Sequence, residues 1–83
     1  MKTTITVFMN PSCGPCHRLI KWLKDEKIEF IEKDIVNDPA ASKEFAEIDG
    51  RYTPTTIIQN GEEQAEVIGA NPPEIEKALS EIG

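Results

Sequence analysis

Cys13 and Cys16 are the only cysteines in the chain, and two residues separate them in the stretch Pro11-Ser12-Cys13-Gly14-Pro15-Cys16-His17. A C-x-x-C pair can exchange with disulfides or contribute ligands to a metal. It is a poor structural staple, because closing so short a loop removes little entropy from the unfolded chain. The thiolate is the reactive form of the sulfur, so the question is what would favour it. An apolar, β-branched run, Ile5-Thr6-Val7-Phe8-Met9, precedes the motif, and a charged segment with a helical apolar face follows it. The pair is therefore expected at a strand-to-helix turn, with Cys13 at the helix N-terminus and Cys16 one turn in. Free backbone N–H groups and the helix dipole stabilise a thiolate there. Pro15 suits a first turn, where its missing N–H breaks no helical bond. Gly14 carries no Cβ that would keep a partner sulfur away.

The elements around the motif read in order. Residues 3–9 form a buried strand and residues 13–27 a helix, with Cys16, Ile20, Leu23 and Lys27 on one face. Residues 29–35 form a second strand. Asn37-Asp38-Pro39 starts a helix with Ala41, Phe45 and Ile48 inward, and Asp49-Gly50 ends it, the glycine supplying the left-handed stop. Residues 55–59 form a third strand, Asn60-Gly61 a hairpin turn, and residues 64–68 a fourth strand. Gly69-Ala70-Asn71-Pro72-Pro73 opens a last helix with a stripe of Ile75, Leu79 and Ile82. The order is β-α-β-α-β-β-α. The first two strands, joined through a helix, are expected to be parallel, and the hairpin pair antiparallel. An α/β fold follows, a four-stranded mixed sheet with helices on both faces.

Eighty-three residues make one small domain, 1–83, with Trp22, Tyr52, Phe8, Phe30 and Phe45 as the bulky core members. A net charge of −6 without a basic patch argues against nucleic acid and anionic membranes as partners. No run reaches membrane-spanning length. Met1-Lys2-Thr3-Thr4 leads into the first strand without an apolar leader, so a cytoplasmic location is expected. In a reducing compartment the cysteine pair reads as redox-active or metal-binding. Asn10-Pro11-Ser12 fails as a glycosylation site because proline fills the middle position.

This order of elements, with Cys13-Gly14-Pro15-Cys16 after the first strand, Thr53-Pro54 before the third and a Gly69-Ala70-Asn71 corner, resembles the thioredoxin superfamily. A start directly at the motif-bearing strand makes the chain similar to its glutaredoxin-type members. Gly14-Pro15 is the thioredoxin-type dipeptide, where most glutaredoxins carry Pro-Tyr. Ser12 stands where thioredoxins carry tryptophan. The Gly-Ala-Asn-Pro corner is closer to mycoredoxins and related small redoxins than to the corner of glutathione-using glutaredoxins, and the glutaredoxin-sized proteins with thioredoxin-like motifs include the redoxins that serve ribonucleotide reductase.

The resemblance implies a dithiol–disulfide oxidoreductase with Cys13 as nucleophile and Cys16 as resolving thiol. The two cycle through a redox-active Cys13–Cys16 disulfide, with no bound cofactor and no metal. It implies a cis Pro54, which on the residues alone reads as a strand-start proline, and substrate backbone docked at Thr53. Gly14, Pro15, Tyr52, Gly69, Ala70 and Asn71 would line the substrate groove, with Arg18 and Arg51 as candidate partners for a carboxylate. Asn71 also reads as a helix cap. His17, about 100° around the helix from Cys16, reads as an exposed helix residue, against a role in thiolate formation. The implied partners are disulfide-containing proteins and an electron donor, either a flavin-dependent thioredoxin reductase or glutathione as co-substrate, with the protein a monomer. The alternative is an iron–sulfur or zinc-binding module; Cys13, Cys16 and His17 supply at most three ligands, so it would need an outside ligand.

Overall fold

The computed structural model describes residues 3–82. Met1 and Lys2, part of the segment read for a leader, lie outside the described residues, as does Gly83. The elements are β1 (Thr4–Met9), α1 (Gly14–Asp25), β2 (Ile31–Asp34), α2 (Pro39–Glu47), β3 (Thr55–Asn60), β4 (Glu63–Ile68) and α3 (Pro72–Ile82). They form one sheet in the order β2-β1-β3-β4. β1 and β2 are parallel, whereas β1 with β3 and β3 with β4 are antiparallel, as the order of elements predicts.

Alternation along the two central strands separates the faces of the sheet. Ile5, Val7 and Met9 of β1 and Ile58 of β3 point to one side, where Cys16, Leu19, Ile20 and Leu23 of α1 and Ile75 and Ala78 of α3 cover them. Phe8 points to the other side and meets Phe45 of α2, ring centroids 5.5 Å apart. Lys33 of β2 and Glu44 of α2 pair at the rim of that second layer. The helices thus lie on both faces.

Five details depart from the sequence reading. The stripe of α3 turns on Ala78, which is buried, with Leu79 and Ile82 only partly covered. Tyr52 is no core member; it is 64% exposed. β2 is shorter than residues 29–35 and only partly covered, since it is an edge strand with a neighbour on one side alone. The hairpin's central pair is Gly61-Glu62, one residue on, because Asn60 pairs with Glu63. Gly61 has φ 64° at the first turn position, which a side chain would resist.

The fifth concerns helix ends. α1 stops after Asp25, and Lys27, placed on the buried face by periodicity, is exposed with φ 58°. α2 stops in the same way with Asp49 at φ 54°, so Asp49 and not Gly50 is the left-handed residue. Both ends make the two bonds of a Schellman motif: Lys27 N–H to Lys24 O and Ile28 N–H to Leu23 O, then Asp49 N–H to Ala46 O and Gly50 N–H to Phe45 O. Gly50 is needed for room. A Cβ there would lie within 2.5 Å of the Phe45 ring. Gly50→Ala is expected to push Phe45 off Phe8 and cost about 1–3 kcal/mol, read as a lower urea midpoint.

Candidate functional site

The central strand β1 delivers the chain to the site, and the turn after it is built from local bonds. Asn10 Oδ1 accepts the Ser12 N–H at 2.8 Å, an Asx turn, and Asn10 O accepts the Cys13 N–H at 2.9 Å. Cys13 is then the N-cap of α1, with extended backbone at φ −92° and ψ 110°. Its sulfur occupies the place of a capping oxygen: Cys16 N–H points at Cys13 Sγ, 3.2 Å away. Gly14 and Pro15 fill the first turn, and no acidic side chain shares it. Gly14 is not there for want of space, since a Cβ would meet only the Arg18 guanidinium at an ordinary 3.5 Å.

The two sulfurs sit in different surroundings. Cys13 is half-buried and Cys16 fully buried, both as free thiols. For Cys13, partial burial opposes ionisation. The Cys16 thiol, the Thr53 side chain, the Cys16 N–H and the Arg18 charge outweigh it, and the pKa falls below the ordinary thiol value of 9.0. For Cys16, burial comes first and the neighbouring Cys13 second. Both raise its pKa above that value, against smaller help from the Asn10 backbone and the Thr53 side chain. The outer sulfur is disposed to be the thiolate and the inner one the thiol.

Across from the pair, the Thr53–Pro54 peptide is cis. The Thr53 carbonyl lies 3.5 Å from Cys13 Sγ and accepts from its thiol form. Pro54 O accepts the Gly69 N–H at 2.8 Å, which ties the corner after β4 to this loop. Gly69 has φ 88°. Asn71 starts α3, its carbonyl accepting from Glu74 and Ile75 and its side chain facing the Glu74 N–H at 3.4 Å. Cys13, Gly14, Pro15, Cys16, Arg18, Thr53, Pro54 and Gly69 are therefore linked at one end of the sheet, with Ala70 and Asn71 continuing from Gly69. Tyr52 stands beside them, its ring exposed and its carbonyl held by the Thr55 hydroxyl at 2.6 Å. Arg51 is exposed, and no bond joins it to the group among the described residues. Asn10 was missed as a site residue. Its signal was present, since Asn-Pro-Ser is an Asx-turn sequence as well as a failed glycosylation site. No three His, Cys, Asp or Glu side chains gather as a metal-ligand set among the described residues. Nor is any of their helices long and apolar enough to cross a membrane.

A parallel–antiparallel four-stranded sheet, a thiol pair at the start of its first helix and a cis Thr53–Pro54 peptide whose carbonyl faces the outer sulfur define a thioredoxin-fold protein. The glutaredoxin family model matches residues 5–63. The chain belongs to the glutaredoxin family. A thioredoxin-like protein, BC3987, solved as a point mutant, superposes with a TM-score of 0.78 at 30% identity, over 100% of both chains. Reduced Schistosoma mansoni thioredoxin superposes at 0.83 with 22% identity, over 99% of this chain and 80% of that one, which shows the shared fold. The SPbeta prophage-derived thioredoxin-like protein YosR of Bacillus subtilis is 28% identical over 74 residues, 87% of this chain and 89% of YosR. The global transcriptional regulator Spx of Streptococcus pneumoniae R6 is 39% identical over 44 residues, 53% of this chain and 33% of Spx. The chain thus spans about a third of the Spx relatives it matches. Fold and family together suggest a thiol redox role.

Proposed function

We propose that this chain is a dithiol–disulfide oxidoreductase that reduces protein or small-molecule disulfides, acting as a monomeric single domain in the cytoplasm. One observation carries the reading: a half-buried sulfur caps α1 and accepts the Cys16 N–H at 3.2 Å, while the second sulfur lies fully buried one turn further in. The Cys13 thiolate attacks one sulfur of a substrate disulfide. That S–S bond breaks, the leaving sulfur takes a proton, and a mixed disulfide forms. Cys16 then loses its proton and attacks Cys13 Sγ. The second substrate sulfur leaves as a thiol, and the chain keeps a Cys13–Cys16 disulfide. Two electrons and two protons have passed to the substrate, held in the chain by sulfur alone.

Thr53 offers its backbone to an extended substrate segment, with Pro54 against the pair and Gly14, Pro15, Tyr52 and the Gly69-Ala70-Asn71 corner around it. Re-reduction comes from a flavin-dependent thioredoxin reductase, a choice supported by the Gly14-Pro15 spacer. The test is NADPH consumption by the oxidised protein in two assays, one with thioredoxin reductase and one with glutathione and glutathione reductase. Turnover in the first supports the proposal in full. Turnover only in the second makes glutathione the donor and the corner and Arg51 its binding candidates. No turnover in either overturns the proposal.

A further inference from the structure

We infer that His17 is a positioning residue for Cys13, fastening the reactive turn to the helix through its ring. The inference rests on the reading of Cys13 as the attacking thiol. His17 Nε2 lies 2.6 Å from the carbonyl oxygen of Pro11, two residues before Cys13. A carbonyl only accepts, so the ring bears its hydrogen on Nε2 and donates it. The main chain of the same residue donates to Cys13 O at 3.3 Å. His17 therefore holds the turn at two peptide groups, on either side of Ser12. Most of the other bonds in this stretch come from within the turn or its own helix turn: Asn10 to Ser12 and Cys13, and Cys16 to Cys13 Sγ; the Thr53 carbonyl, 3.5 Å from Cys13 Sγ, comes from across the site. Among these bonds the ring is the one side chain that reaches back to the turn from α1.

The consequence falls on the sulfur. The Cys16 N–H can serve the thiolate only while Cys13 keeps its extended capping backbone, φ −92° and ψ 110°. Cys13 follows directly from the segment the ring secures. Releasing Pro11 O lets residues 11–13 sample geometries in which Sγ no longer meets that N–H. The bond is also indifferent to the charge on the ring, because Nε2 carries hydrogen in the imidazolium as well as in this neutral tautomer. The groups bearing on the Cys13 charge are then Cys16, Thr53 and Arg18, which the substitution leaves in place.

The test reads Cys13 directly. Reduced full-length protein is alkylated with iodoacetamide across a pH series, and the Cys13 adduct is followed by mass spectrometry, for wild type, His17→Leu and His17→Gln. Glutamine carries an amide N–H at a similar reach but no titratable charge. His17→Leu is expected to raise the alkylation midpoint by about half a pH unit, equivalent to about threefold less thiolate at neutral pH. His17→Gln is expected to keep the wild-type midpoint. An unchanged midpoint in His17→Leu overturns the inference. A Gln variant that behaves like the Leu variant also overturns it, because charge and not the donor bond would then matter. Nitrogen NMR of wild-type His17, where the ring is neutral, gives a check needing no variant: the Nε2–H tautomer is expected, and Nδ1–H overturns the inference. Alkylation needs no disulfide substrate, so a protein inactive in both NADPH assays that still shows the midpoint shift would sink the proposed function and leave this inference standing.

Discussion

Cys13→Ser is expected to abolish disulfide reduction, a loss on the order of 10³-fold or more, as befits removal of the attacking atom. The hydroxyl that replaces the thiol still accepts the Cys16 N–H, so the helix start is kept and the loss reports chemistry. Cys16→Ser gives the opposite picture. Cys13 still attacks, but the buried position beneath it holds no sulfur to release the product. A mixed disulfide should accumulate to near one per chain, visible as a mass increase that dithiothreitol reverses. If instead Cys16→Ser turned over protein disulfides as fast as wild type, the resolving role would be lost. If Cys13→Ser retained dithiol activity, the two roles would have to be exchanged.

The second large effect is in pH. The two thiols move apart, Cys13 below and Cys16 above the ordinary 9.0. Near neutral pH the reduced protein should alkylate faster at Cys13 than at Cys16, since the thiol with the lower pKa holds more thiolate. Cys16 burial widens the gap further. The same shifts enter stability. Cys13 has its folded pKa depressed, so its contribution is present above the unfolded value and is lost as pH falls through the folded one. Cys16 has its folded pKa raised, so its contribution is present below the unfolded value and is lost as pH rises through the folded one. Reduced protein should therefore gain stability as pH rises toward about 9 and lose it beyond. Urea midpoints of the reduced form at several pH values test this. The oxidised form, with neither thiol left to titrate, supplies the baseline, and matching profiles in both forms would contradict the assignment.

The sequence announced most of this site for definite reasons. Order of elements, strand pairing and the Asp38-Pro39 helix start follow from period and capping chemistry, and each is realised: Asp38 Oδ1 accepts the Ala40 N–H at 3.0 Å. Burial of Cys16 follows from its three-residue offset from the cap. What stayed hidden depended on distant partners. The tyrosine beside Thr53 is apolar enough for a core, yet it follows a loop that runs over the end of the sheet. Gly50 looked like a left-handed stop because glycines commonly are, but the Phe45 ring had already claimed the space. The ring-to-carbonyl bond of His17 joins residues six apart across a turn whose shape Asn10 sets. Periodicity sees only that His17 lies off the buried face.

The strand order has a bearing on how the protein comes apart. β1, which leads into Cys13, and β3, which the cis Thr53–Pro54 peptide precedes, are paired with each other in the middle of the sheet. The margins are β2, four residues long, and β4, whose Glu63, Gln64 and Glu66 are exposed. Opening events start where backbone bonds are few and wet. Either margin can therefore detach for a moment while the strands bearing the two sides of the reactive site remain joined. Amide hydrogen exchange should then form a gradient, fastest along β2 and β4 and slowest at Val7 and Ile58. The redox pair would be among the last features to go as the domain unravels.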